Sequence, residues 1–196
     1  MSDRRAEIRA FLDTNGFAGA SPQPLAGDAS ARRYERITAP RPAVLMDCPP
    51  DKLQVRPFLE VHATLEGLGY SVPALYAADP ARGLVLLEDL GETSFSRTLD
   101  VGGDHERLYG AAVDLLVDLQ RRAPIDGLPA YDDARFMTEL ELLPTFAVPG
   151  LPATAADAYR TLWRRLLGEA RFGPACFVYV DYHADNLHWL DERSGH

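Results

Sequence analysis

The chain has 196 residues, 46% hydrophobic and 25% charged, which is the composition of an ordinary globular protein and excludes a disordered or fibrous one. Its formal net charge of −9 argues against sequence-independent nucleic-acid binding, which needs a concentrated basic surface, although a local basic pocket stays open. Cys48 and Cys176 stand far apart without metal-ligand spacing and read as reduced thiols; with no signal-peptide core and no run of about 20 apolar residues, a cytoplasmic protein that meets no membrane is expected.

In chain order, residues 5–17 carry Ile8, Phe11 and Leu12 on one helical face and stop at Asn15-Gly16. That predicts a short helix with a glycine end, packed as a lid or flank. SPQPLAGDASARRYERI runs from a proline-rich loop through Gly27, Asp28, Ala29 and Ser30 into the predicted strand RRYERI, and PAVLMDC supplies a second strand before Pro49-Pro50. Val55, Phe58, Leu59, Val61, Leu65 and Leu68 form a helical face with Glu60 in its middle and Gly67 and Gly69 at its end. An extended piece, a turn at Asp79-Pro80 and the apolar strand 84–87 follow, closing on Glu88, Asp89, Leu90 and Gly91.

Beyond Gly91 the pattern turns helical. Asp104 is placed to cap a helix striped by Leu108, Ala112, Leu115, Leu116 and Leu119; Asp132 is placed to cap another with Phe136, Leu140 and Leu143; a third spans 155–167. The fold class is therefore α+β. Residues 1–90 are expected to form a β-rich N-terminal lobe with its leading helix, and 91–196 a helical C-terminal lobe.

The chemistry-bearing stretch is FVYVDYHADNLHWL, residues 177–190. A buried strand over 177–180 would hold Asp181 at its end, and the loop after it would swing Asn186 back beside the carboxylate. Such a pair suits phosphoryl transfer, because a carboxylate can orient or deprotonate an attacking hydroxyl and an amide oxygen is a hard neutral ligand for magnesium. Taken alone, the two residues more often read as a strand-end acid and an asparagine turn than as chemistry. His183 and His188, five apart with no cysteine or third histidine near, read as loop and core-edge groups and not as zinc ligands. Trp163 and Trp189 read as core residues.

DYHADN after an apolar run resembles the catalytic loop of the aminoglycoside-phosphotransferase and choline-kinase group, whose fold is that of the protein kinases. GDASARRYERI, VLMDCPPDK, RPFLEVHATLEGLGYSVPALYAAD, GLVLLEDLGE and YDDARFMTELELLP resemble the bacterial amino-sugar kinases that phosphorylate the anomeric hydroxyl of N-acetylmuramate and N-acetylglucosamine. The resemblance covers nearly the whole chain. It implies a two-lobed, protein kinase-like fold using ATP and magnesium on a small amino sugar, in peptidoglycan recycling.

Carried over by position, the resemblance implies Asp181 as catalytic base and Asn186 as magnesium ligand, in a catalytic loop over 179–188. Gly27, Asp28, Ala29 and Ser30 would turn over the nucleotide phosphates, with Arg32 or Arg33 reaching the same groups. Glu60 would brace the phosphate-binding cation, and the backbone of Glu88, Asp89 and Leu90 would meet the adenine edge. Glu139 and Glu141 are candidates for the sugar hydroxyls, although two helix positions apart they cannot both face one pocket; His183 is grouped with the substrate contacts.

Three positions depart from the pattern. Met46 stands where kinases carry a strand lysine, so Arg33 is the expected stand-in; Tyr179-Val180 replaces the usual histidine before the loop; and only ten residues follow Asn186, so LDERSGH reads as a hairpin turn, with Asp191 in the turn and the return strand missing. The chain thus reads as cut short after the catalytic loop, with self-association through the exposed end. Two alternatives stay open: a truncated or degenerate kinase-like protein that binds without catalysing, and a helical module whose acidic surface meets a protein partner.

Overall fold

The computed structural model describes residues 4–25, 32–50, 54–122, 127–170, 174–191 and 193. The fold is α+β. Strands β1 (Gln23–Pro24), β2 (Arg33–Ile37), β3 (Ala43–Asp47), β4 (Leu75–Asp79) and β5 (Leu84–Glu88) make one antiparallel sheet in the order β1-β2-β3-β5-β4. Helix α1 (Arg4–Thr14) precedes the sheet and α2 (Arg56–Gly67) lies between β3 and β4 in the chain.

Strand alternation explains how the sheet is covered on both faces. Ile37, Ala43, Leu45, Leu84 and Leu86 point one way and pack with Ile8, Phe11, Leu12 of α1 and with Phe17. Met46, Cys48, Val85 and Leu87 point the other way and pack with Val55, Phe58 and Leu59 beside and within α2. A strand covered on both sides needs no polar face, which is why AVLMD and LVLLE read as unbroken apolar runs. The α1 contact is pinned by charge: Arg4 Nη2 lies 2.6 Å from Oδ1 of the buried Asp47, and Arg5 Nη1 lies 2.8 Å from Glu35. Helix α2 is tied to the start of β4 by His62, whose Nε2–H donates to the Pro73 carbonyl at 2.6 Å.

The helices that follow are α3 (Phe95–Asp100), α4 (His105–Arg121), α5 (Asp133–Leu140) and α6 (Ala153–Glu169), with a short π-helix over Leu143–Ala147. The two predicted caps are in place: Asp104 Oδ1 accepts the Arg107 N–H at 3.1 Å, and Asp132 Oδ1 accepts that of Arg135 at 2.9 Å. Ser94 caps α3 in the same way at 3.3 Å.

By contact density the chain divides into two compact units, Met1–Val113 with Asp181–His196, and Asp114–Val180. The first holds the sheet, α1 to α3 and the 181–191 segment. The second is held by α5 against α6, where Arg160 grips Glu141 bidentately at 2.6 and 2.8 Å and Tyr159 Oη donates to the Leu140 carbonyl at 3.1 Å.

The expected buried strand over residues 177–180 is not formed. Val178, Tyr179 and Val180 are exposed and in no ladder. An apolar run becomes a strand only where a neighbour takes its backbone N–H and C=O groups, and among the described residues no segment pairs with this one.

Candidate active site

The segment carrying Asp181 and Asn186 is anchored by apolar residues that interleave with polar ones. Tyr182, Ala184, Leu187 and Trp189 pack on Phe95, Leu108 and Ala112. Tyr182 Oη donates to the Ala112 carbonyl at 2.8 Å, and backbone bonds of 2.8 Å join Phe95 N–H to Leu187 and Trp189 N–H to Thr93. The polar residues between them are left on the outer side: Asp181 is 76% exposed and His183 49%. One turn of 3-10 helix over Ala184–Asn186 then brings Asn186 back, its N–H donating to the His183 carbonyl at 2.9 Å. Rigid placement therefore comes from the anchors around the loop and not from a strand before it.

The result is a tight polar triangle. Asn186 Nδ2 lies 2.9 Å from Asp181 Oδ2 and 3.1 Å from the Asp181 carbonyl. His183 Nε2 lies 3.2 Å from Asp181 Oδ1 and 3.1 Å from Asn186 Nδ2, and its Nδ1 lies 3.4 Å from the Asp185 backbone nitrogen. One carboxylate oxygen accepts from Asn186 and the other faces the His183 ring. Because Asn186 turns its nitrogen to Asp181, its oxygen faces away with no donor among the described residues.

A carboxylate and an outward amide oxygen are hard donors. They fit a magnesium ion that keeps waters and takes phosphate oxygens from a nucleotide, since this metal is usually bound through one or two protein groups. Among the described residues no three His, Cys, Asp or Glu side chains converge as a closed metal cage, so a metal held here would be shared with its ligand.

The other predicted residues are distributed as follows. Gly27, Asp28, Ala29 and Ser30 lie outside the described residues. Arg33 is paired in register with Asp47, whereas Tyr34 is paired with Met46; paired residues share a face, so Arg33 stands on the side of the sheet away from Met46, and alternation assigns Arg32 to the Met46 side. Met46 itself is 0% exposed. Glu60 is exposed on α2 and has no ion-pair partner among the described residues.

Glu88, Asp89 and Leu90 end β5 together. Burial pushes the Glu88 carboxyl up, but the hydrogen bond from Arg193 and then the Ala74 N–H, at 3.0 Å, outweigh it and leave the group below the usual carboxylate range. In the second unit Glu139 takes the Tyr131 hydroxyl and Arg135 Nε at 2.9 Å, and Glu141 takes Arg160. Hydrogen bonds from Tyr131 and then Arg135 hold Glu139 low, and the Arg160 bond does the same for Glu141. The two carboxylates engage different partners, as their spacing predicts.

Two arginines next to the β5 end escaped the sequence reading. Arg36 Nε lies 2.8 Å from Asp89 Oδ2 and its Nη1 2.5 Å from Glu92 Oε1, while Arg193 pairs with Glu88 and donates to the Val72 carbonyl at 3.3 Å. The alternation of RYERI and the acids of LEDLGE were the only signals, and no local spacing rule joins them. His188 bridges to Ser94 and has Nδ1 3.2 Å from Thr93 Oγ1; burial pushes its pKa down, against the pull of Asp89 and then Glu92.

Comparison with known proteins adds a second line. The sequence profile of the phosphotransferase enzyme family matches residues 21–195. The N-acetylmuramate/N-acetylglucosamine kinase of Caulobacter vibrioides is 33% identical over 236 residues, covering 99% of this chain and 65% of the relative. The proteins of the same name in Pseudomonas aeruginosa and Neisseria meningitidis serogroup B are 36% and 34% identical, covering 88% and 87% of this chain but 52% and 53% of their own length. The chain therefore spans about half to two thirds of the curated relatives it matches.

Proposed function

Because the chain belongs to the phosphotransferase enzyme family, we propose that it transfers the γ-phosphoryl group of ATP to the anomeric hydroxyl of an amino sugar, N-acetylmuramate or N-acetylglucosamine. The single observation that carries the reading is the fixed pair of Asp181 and Asn186, 2.9 Å apart. The relatives' shared name supports the sugar class. The setting would be the cytoplasm, in recycling of cell-wall sugars; among the described residues no helix is long and apolar enough to cross a membrane.

Asp181 orients the sugar hydroxyl and accepts its proton as that oxygen bonds to the γ-phosphorus and the bond to the ADP oxygen breaks. Asn186 Nδ2 donates to the Asp181 carboxylate, and His183, about half exposed beside it, would touch the sugar. Asn186 would hold a magnesium ion brought with the nucleotide, which would supply charge neutralisation of the phosphates. Catalysis is positioning and electrostatics, with no covalent intermediate. Residues 1–90 would act as the nucleotide lobe: the backbone of Glu88, Asp89 and Leu90 would meet the adenine edge, and Gly27 to Ser30 with Arg32 or Arg33 would meet the phosphates. Residues 91–196 would act as the acceptor lobe, and Glu139 and Glu141 remain its candidate sugar contacts. The exposed Val178, Tyr179 and Val180 support self-association.

A coupled ADP-release assay on the 196-residue chain with Mg-ATP and each sugar tests this. Sugar-dependent ADP and a sugar 1-phosphate product are expected. A chain whose melting temperature rises with Mg-ATP while no sugar is phosphorylated sinks the kinase reading and leaves a nucleotide-binding module.

A further inference from the structure

We infer that Arg36 is a positioning residue for the nucleotide, fixing through Asp89 and Glu92 the segment whose backbone would bond the base. The inference rests on the kinase reading above and adds a residue to it. Arg36 sits opposite Val44 in the β2–β3 ladder, which puts it on the same face of the sheet as Met46, two rungs along.

Its guanidinium reaches the chain just after β5 and meets two carboxylates there. Nε and Nη2 lie 2.8 and 3.2 Å from the two oxygens of Asp89, and Nη1 lies 2.5 Å from Glu92. The Asp89 side chain is only 9% exposed, and its Oδ1 also accepts the Gly91 N–H at 2.9 Å. One carboxylate thus closes the turn at Gly91, whose φ is +74°, and is itself held by β2. Glu92 passes the connection on to Arg97 of α3, 3.1 Å away.

The arrangement has a consequence for an anionic ligand. Glu88, Asp89 and Glu92 place three negative charges within five residues, where a nucleotide would lie along the backbone. Arg193 takes the first and Arg36 the other two. A planar fork can engage two carboxylates at fixed angles at once; an ammonium cannot. Removing Arg36 would leave Asp89 almost buried without its cation and Glu92 held by Arg97 alone, so the loss falls on the shape and the charge of the base site. Asp181, His183 and Asn186 make no contact with Arg36 and should keep their geometry.

Isothermal titration of the full chain with Mg-ADP, alongside N-acetylmuramate titration and a KM-against-kcat split where turnover is present, tests the inference. Arg36→Met should weaken Mg-ADP binding by about tenfold or more, the loss that follows from removing charge-assisted hydrogen bonds, with sugar affinity and kcat little changed. Arg36→Lys should recover only part of the loss. Equal Mg-ADP affinity in wild type and a folded Arg36→Met overturns the inference, and so does a parallel loss for nucleotide and sugar, which would mark a merely structural pair. Should Arg36→Met not fold, Arg36→Lys carries the test: a severalfold weaker Mg-ADP affinity with unchanged sugar affinity is expected, and equal Mg-ADP affinity overturns the inference. A wild-type chain that binds no Mg-ADP overturns the kinase reading first, and this inference falls with it.

Discussion

Asn186 gives its amide nitrogen to Asp181, with Nδ2 2.9 Å from Oδ2, and so keeps its amide oxygen for something outside the loop. Removing either group should have a different effect. Asp181→Ala should cut sugar phosphorylation by about 10²- to 10⁴-fold, the usual contribution of a positioned acid–base group, and leave Mg-ATP affinity largely intact. Asn186→Ala should raise the magnesium concentration needed for half-maximal rate. Because both side chains lie at an exposed loop surface, the melting temperature should hardly move. Full turnover in Asp181→Ala would end the proposed mechanism.

Met46 invites the opposite experiment, restoring the lysine that kinases carry. The site does not permit it. Met46 is enclosed by Cys48, Val55, Val85 and Leu87, with Tyr34, Phe58 and Leu59 at the edge, and Glu60 is out in solvent. An ammonium placed there has no carboxylate to meet, so Met46→Lys should lose about 3–5 kcal/mol of stability, the cost of an uncompensated buried charge, with no gain in nucleotide affinity. Met46→Leu, which conserves volume, should cost under about 1.5 kcal/mol. Urea denaturation separates the two, and a Met46→Lys protein as stable as wild type that binds ATP more tightly would show that a lysine is accommodated after all.

The contrast between Met46 and Arg36 shows which features could be read from residues alone. Helix caps such as Asp104 and Asp132 act over three residues, and the strands around Leu45 and Leu86 announce themselves by composition, so both are local signals. Asp181 and Asn186 are five apart and were legible for the same reason. Strand register is not local: RYERI offers Arg33 and Arg36 on opposite faces, and only pairing with β3 decides which one shares the Met46 side. The partner of Arg36 lies 53 positions away in the chain. The run FVYV misled because β-propensity describes a fit to neighbouring strands, and among the described residues no strand pairs with it. Strand β1, two residues ending in proline, carried too little pattern to be seen at all.

Gly83 is the position where the backbone itself forbids a side chain. Its φ is +65°, and a Cβ would fall 1.8 Å from the Cys48 carbonyl oxygen. The Cys48 N–H in turn donates to the Gly83 carbonyl at 2.8 Å, joining the ends of β3 and β5, so neither strand can retreat without opening the sheet. Gly91 has φ +74° and open space around its α-carbon. Gly91→Ala should therefore cost only the left-handed backbone penalty, about 1–2 kcal/mol, whereas Gly83→Ala should lose clearly more or fail to fold. Equal denaturation midpoints for the two variants would contradict the close approach at Cys48.

Acid should destabilise the unit containing the sheet in two steps, because two groups on either side of the β5 end are both held below their ordinary pKa. Burial pushes His188 down, against Asp89 and then Glu92, so in the folded chain it stays neutral after an unfolded chain has begun to take a proton. The stability it contributes is complete above about pH 6.5 and is lost as the pH falls from there toward its folded value. Glu88 is depressed in turn: burial raises it, but Arg193 and the Ala74 N–H lower it further. Its share is present above about pH 4.3 and disappears as the pH falls through the folded value. Melting temperatures measured between pH 7.5 and 3.5 should therefore decline first below neutrality and again in the carboxylate range. His188→Gln should flatten the first decline and leave the second, and Glu88→Gln should do the reverse. Profiles that keep both declines in both variants would assign the acid sensitivity to other groups and remove His188 and Glu88 from the account.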